Sequence, residues 1–124
     1  MLHRVFATIL GGALLLLAGP AFAEGDAQAG ATVFKQCALC HTNEAGKNKI
    51  GPSLFGVVGR RAASVPGYAY SDAMKKFDHV WDDETLQHYL SDPRGVVPGT
   101  KMIFVGLKDQ KQRDDVIAYL KTLK

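Results

Sequence analysis

Cys37-Ala38-Leu39-Cys40-His41 decides how this 124-residue chain folds. The C-x-x-C-H spacing is that of covalent c-type haem attachment. Two thiols must reach the two vinyl groups on one edge of a porphyrin while the adjacent imidazole swings under the iron, and a single irregular turn presents all three. Competing uses of the pair fit less well. A redox dithiol sits at the start of a helix that follows a strand, and no strand pattern precedes Phe34. Zinc would need further ligands, and beyond His41 only His79 and His88 follow, nine apart and with no second cysteine pair. A disulfide closing so short a loop is strained and pins nothing.

Upstream of the motif, Ala27, Gly30, Ala31 and Phe34 repeat at i, i+3, i+4, i+7, which predicts a helix over Asp26 to Gln36 capped by Asp26. Downstream, Gly46, Gly51-Pro52, Gly56, Gly59 and Pro66-Gly67 come too often for regular structure, so His41 to Tyr70 is expected as a long turn-rich loop. Ser71 to Phe77 has room for one or two helical turns. Asp82 is placed to cap a helix with Asp83 and Glu84 in its first turn, buried through Leu86, Tyr89 and Leu90 and stopping near Pro93. A second loop runs from Gly95 to Gly106, with Pro98-Gly99 suited to a type II turn. From Asp109 to Leu123 there is no Gly or Pro, and Val116, Ile117, Leu120 and Leu123 recur at helical spacing, with Lys121 and Lys124 at the favourable end of the dipole. No segment alternates as a strand does. Three helices joined by loops too long to be mere connectors suggest loops that wrap something.

The first 23 residues read as a secretory leader: Arg4, an apolar run from Val5 to Gly19, then Pro20 and the small-x-small site Ala21-Phe22-Ala23. The run is too short to span a bilayer, which takes about 20 apolar residues. Cleavage after Ala23 leaves Glu24 to Lys124 as one domain with a formal charge of +2, since Arg4 is the leader's only charged side chain. With 47% hydrophobic and 22% charged residues the whole chain is neither disordered nor membrane-embedded in composition. A net charge of +3 without basic residues interleaved with aromatics excludes a nucleic-acid surface.

A haem iron bound by His41 has a sixth position, closed by a protein ligand in electron carriers and open where small molecules bind. The candidates are Met74, Met102, His79 and His88. Met102 lies in the loop Pro98-Gly99-Thr100-Lys101-Met102, far enough along the chain to cross to the face opposite His41. Met74 sits beside Lys75 and Lys76 in a short polar helix and reads as packed or solvent-facing, so Met102 is the expected ligand.

Together, Cys37-Ala38-Leu39-Cys40-His41, Gly51-Pro52, Gly59-Arg60, Pro66-Gly67-Tyr68, Trp81, Tyr89-Leu90, Pro98-Gly99-Thr100-Lys101-Met102-Ile103-Phe104 and Tyr119-Leu120 resemble the class I, mitochondrial-type cytochromes c, most closely the small periplasmic ones of bacteria. The resemblance covers nearly all of Gly25 to Lys124. It implies an all-α fold, three main helices plus short helical turns around one haem c held by Cys37 and Cys40, and no sheet. It makes His41 and Met102 the axial ligands, has the Pro52 carbonyl accept from the other imidazole nitrogen, and has Tyr89 bond the Met102 sulfur. Arg60, Tyr70, Ser71 and Trp81 resemble the groups that hold the haem propionates, Leu54 and Leu120 resemble crevice residues, and Thr100 and Phe104 belong to the same haem-binding set. Gly30 and Phe34 resemble the helix face that packs on the last helix at Val116 and Tyr119. Met74 stands where the family often has an asparagine that contacts a buried water near the propionates.

The function implied is one-electron carriage in the periplasm rather than enzymatic catalysis, by a monomer that does not insert into the membrane. The partners implied are membrane redox complexes: a quinol-oxidising complex as donor, and an oxidase or photosynthetic centre as acceptor. Lys35, Lys47, Lys49, Arg94, Lys101 and Lys108 flank the cysteine motif or the Met102 loop, while Asp72, Asp78, Asp82, Asp83 and Glu84 gather in mid-chain. This distribution predicts a basic rim on one side of the molecule.

Overall fold

In the computed structural model, which describes residues 11–16 and 24–124, each of the three longer helices begins at an aspartate. The Asp26 side chain accepts from the N–H groups of Gln28 and Ala29 and opens α1 (Ala27–Phe34). Asp82 accepts from Thr85 N at the head of α3 (Asp83–Ser91), and Asp109 from Lys111 N at the head of α5 (Gln110–Leu120). Each bond satisfies a donor that the first turn leaves unpaired. Between α1 and α3 the one α-helix is α2 (Asp72–Lys76), capped by Ser71, whose Oγ accepts from Met74 N at 3.0 Å. The leader expected over residues 1–23 falls mostly outside the described residues. Among the latter no helix is long and apolar enough to cross a membrane.

Three helix boundaries differ from the sequence pattern. α1 ends at Phe34 and not at Gln36. Pro93 does not merely end α3: Asp92 accepts from Gly95 N and a single turn, α4 (Pro93–Val96), starts again with the proline at a position where a missing N–H is harmless. The last helix stops at Leu120 rather than Leu123. Lys121 turns its ammonium to Asp83 on α3 at 2.7 Å instead of to its own helix end, and the Leu123 carbonyl accepts from Gly56 N at 2.7 Å.

α1 crosses α5 at a backbone contact. Gly30 is buried there, and a Cβ on it would lie 2.8 Å from Tyr119 Cβ and closer still to the Asp115 carbonyl. Phe34 then stacks at a tilt on Tyr119, with centroids 5.0 Å apart. Val116, Ile117 and Leu120 bury the inner face of α5, and Leu86, Tyr89 and Leu90 do so for α3. The described residues hold no strand, only an isolated antiparallel bridge between Arg61 and Val80. The Val97–Thr100 turn carries Gly99 at φ +89°, the left-handed value that Pro98-Gly99 predicts, and Thr100 N closes it on Val97 O at 3.0 Å. Beyond it, Met102 and Phe104 turn inward while Ile103 and Val105 are 90% and 81% exposed. This is the two-residue period of an extended chain, here without a pairing partner.

Candidate functional site

The cysteine motif occupies the irregular turn its chemistry requires. After α1 the chain tightens into a 3-10 turn, Cys37–Leu39, and the Cys37 carbonyl accepts from both Cys40 N at 3.1 Å and His41 N at 2.8 Å. Cys37 and Cys40 are half-buried and not bonded to each other. His41 Nδ1 donates to the Pro52 carbonyl at 2.7 Å, which fixes the tautomer and leaves Nε2 as the ring's lone-pair donor. Burial lowers the His41 pKa; the Pro52 bond opposes this, and the positive charges of Arg60 and Lys49 reinforce it. A buried neutral imidazole is the form that ligates metal.

Met102 is half-buried. Tyr89 Oη donates to its sulfur at 3.4 Å and lies 3.3 Å from Thr100 Oγ1, which also accepts from Met102 N at 3.2 Å. Burial pushes the Tyr89 phenol up, so it stays an O–H donor. Trp81 packs on Tyr89 with centroids 4.9 Å apart, behind this arrangement. Met74 is packed against the core edge. His79 stacks on Phe77 at 4.2 Å and His88 lies 4.0 Å from Glu84, both histidines exposed. Neither histidine joins the cysteines, and among the described residues no group of three or more His, Cys, Asp and Glu is arranged to hold a metal ion.

The residues expected around a haem are all in the half-buried or buried shell. Leu54, Phe104 and Leu120 pack at the core. Arg60 reaches inward, its terminal nitrogens donating to Phe55 O at 3.1 Å and Ser53 O at 3.0 Å, and burial lowers its pKa. Tyr70 Oη accepts from Val65 N at 3.0 Å, so its own proton remains available. Ser71 has a structural duty that the resemblance did not include, the cap of α2, and keeps its O–H as donor.

Residues outside the expected haem-binding set also shape the site. Gly51 abuts the His41 ring so closely that a Cβ would fall 2.6 Å from Nδ1. Tyr68 Oη donates to Ile50 O at 2.7 Å. Lys49 and Lys101 donate to the carbonyls of Ala38 and Ala69 at 2.9 and 2.8 Å, clamping the cysteine turn and the loop before α2. Gly51 and Tyr68 lie in motifs that the sequence displays, Gly51-Pro52 and Pro66-Gly67-Tyr68. The clamps join positions 11 and 32 residues apart and leave no local pattern.

Two features fit a covalently held haem. The Nε of Arg60 is buried without a hydrogen-bond partner, a cationic donor suited to a carboxylate such as a propionate. The space Gly51 leaves is filled by the imidazole, whose Nε2 is the atom free to bind iron. Fold and site together define a small, all-helical c-type haem protein.

The cytochrome c family model matches residues 27–124. Cytochrome c2 of Rhodomicrobium vannielii is 51% identical over 112 residues, 90% of either chain, and cytochrome c of Euglena viridis is 52% identical over 101 residues, 81% of this chain and 99% of its own. Among solved structures, cytochrome cH from Methylobacterium extorquens superposes with a TM-score of 0.75 at 52% identity, covering 79% of this chain and 99% of that one. The chain belongs to the cytochrome c family. Its members are electron-transfer proteins, not enzymes, and carry haem c covalently on two cysteines, here Cys37 and Cys40.

Proposed function

We propose that the mature protein, Glu24 to Lys124 after removal of a 23-residue leader, is a monomeric periplasmic electron carrier whose haem iron is held by His41 and Met102. The observation that carries this reading is a pair of oriented donors: an imidazole pinned through Nδ1 to Pro52, and a thioether held by Tyr89. The haem supplies a one-electron ferrous/ferric couple, and Met as axial ligand raises its potential. The chain's own residues do the rest. Tyr89 and Thr100 orient the sulfur, Arg60, Tyr70, Ser71 and Trp81 would receive the propionates, and Leu54, Phe104 and Leu120 would keep water from the ring.

The partners are membrane redox complexes, a quinol-oxidising complex on one side and an oxidase or photosynthetic centre on the other. Leu39 inside the cysteine motif and Ile103 beside Met102 are 75% and 90% exposed, and Lys49, Lys101 and Lys108 have ammonium groups fixed on the backbone carbonyls of Ala38, Ala69 and Ser91. An apolar contact rimmed by fixed cations suits an acidic partner surface, and such steering fades as the Debye length falls from about 10 Å at 0.1 M salt to about 3 Å at 1 M.

Met102→Ala tests the ligand assignment. The variant keeps its haem on Cys37 and Cys40, its ferrous form binds carbon monoxide readily, and the ferric thioether-to-iron band in the far red disappears. If Met74→Ala does this and Met102→Ala does not, the ligand is wrong.

A further inference from the structure

A cleft of about 230 Å³ that shares no residue with the haem site opens where the N-terminal segment meets α3 and α5. Glu24, Gly25, Asp83, Gln87, Asp114 and Lys121 line it. Three of these side chains are carboxylates and one is an ammonium. Lys121 Nζ is engaged with Asp83 at 2.7 Å, and among the described residues Asp114 has only the neutral amide of Gln87, at 2.6 Å. The neighbouring cations are committed elsewhere: Lys111 to Asp115, and Arg113 to Gln87 and the carbonyls of Leu107 and Lys108.

The segment entering the cleft is fixed on α5 at two successive points. Gly25 lies against the Asp114 backbone with no room for a Cβ, and Asp26 N donates to the Asp115 carboxylate at 2.8 Å. Glu24, one residue upstream and therefore about 3.8 Å from Gly25 between Cα atoms, cannot stray far from Asp83 and Asp114.

We infer that maturation supplies this cleft with its second cation. Hydrolysis of the Ala23–Glu24 bond by a signal peptidase adds one water: Ala23 keeps a carboxylate, and the Glu24 nitrogen leaves as a primary amine that takes up a proton at neutral pH. That α-ammonium pairs with Asp83 and Asp114 and clasps the entry of α1 to α3 and α5, which the uncharged peptide N–H of the precursor cannot do. The inference rests on the cleavage site proposed above. The groups facing the new charge are the Glu24 carboxylate on its own residue, Asp83 on α3, and Asp114 and Lys121 on α5 and its cap, with Asp26, Lys111, Arg113 and Asp115 just outside. Carboxylates outnumber ammoniums at the cleft, so the α-amine is held above its ordinary pKa. A raised folded pKa gives stability that is complete below the unfolded value, about 8, and is lost as pH rises through the folded one.

The test uses exported holoprotein. Intact mass locates the first residue, and competitive acylation followed through pH by mass spectrometry reads the α-amine. The expected pKa lies about half a pH unit or more above the ordinary range of about 7.7–8.0. It falls back into that range in the Asp83→Asn, Asp114→Asn double variant and rises further in Lys121→Gln. Acetylating the α-amine lowers the thermal midpoint of the wild type but not that of the double variant. A mature chain starting anywhere but Glu24 overturns both the cleavage site and the clasp. A chain starting at Glu24 whose α-amine titrates in the ordinary range, ignores either set of substitutions, or has closed to a terminal lactam overturns the clasp alone.

Discussion

Gly30→Ala should unfold this protein more than any other single methyl addition in α1. Ordinary contact begins near 3.4 Å, while the added Cβ would lie 2.8 Å from Tyr119 Cβ and deeper into the Asp115 carbonyl, so α1 and α5 must part by more than 0.6 Å at Tyr119 and further at the carbonyl. A radial gap of about 0.5–1 Å forfeits a quarter to a half of each dispersion contact. The side chains on that seam, Phe34, Val116 and Ile117, are 5%, 1% and 3% exposed. Each contributes about 1.5–3 kcal/mol through burial, so losing a third of that across the three, with some strain, costs about 3–4 kcal/mol. Alanine returns about 1 kcal/mol of helix propensity. The net loss of about 2–3 kcal/mol is a large part of a domain stability of about 5–15 kcal/mol and lowers Tm by about 10–20 °C. Guanidinium unfolding of the holoprotein, followed by the fluorescence of its single tryptophan, Trp81, reads it directly. A midpoint within about 0.5 kcal/mol of wild type, the range of an ordinary surface substitution, would show that the two backbones do not touch.

Three further outcomes are expected. Ala63 is the one described non-glycine residue at positive φ, +58°; Ala63→Gly removes about 1–2 kcal/mol of left-handed strain against about 0.4–1 of added chain entropy, raising the denaturation midpoint by a net of about 0.5–1 kcal/mol. Tyr89→Phe withdraws the proton donor from the Met102 sulfur and so disfavours the ferrous state, lowering the potential in a spectroelectrochemical titration by on the order of 30 mV, where about 59 mV is tenfold for one electron; an unchanged potential would mean the bond is not made in the holoprotein. The Asp115 carboxyl is held below its usual 3.8, first by the Lys111 ammonium and then by Asp26 N–H. A lowered folded pKa gives stability that is present above that ordinary value and lost as pH falls through the folded one, so Asp115→Asn should narrow the difference between urea midpoints at pH 5 and pH 3. Equal differences in both proteins would refute it.

The parts of the fold legible in sequence were those that one side chain decides locally. Asp26 and Asp82 each cap the helix they precede, and Pro98-Gly99 makes the turn its dihedral preferences require. The haem-attachment motif was legible because five adjacent residues carry it, whereas Pro52, Tyr89 and Arg60 entered through family likeness alone. Other features depend on residues far apart in the chain and gave no local sign. Asp115 takes its backbone partner from 89 residues away, Lys101 clamps a carbonyl 32 residues back, and nothing in the run Arg60-Arg61-Ala62-Ala63-Ser64 shows that Ala63 sits left-handed. Leu123 fitted the helical period yet lies past the helix end, because its carbonyl answers Gly56 instead of continuing the ladder.

The alternation from Met102 to Val105 separates two selective pressures within four residues. Positions turned inward meet the sulfur-holding tyrosine and the core, while Ile103 and Val105, on the opposite side of the same backbone, are largely exposed. Substitutions at the outward pair can therefore redirect which surface the protein recognises without disturbing the inward pair, so a lineage that exchanges one redox partner for another can do so here while its iron chemistry stays as it was.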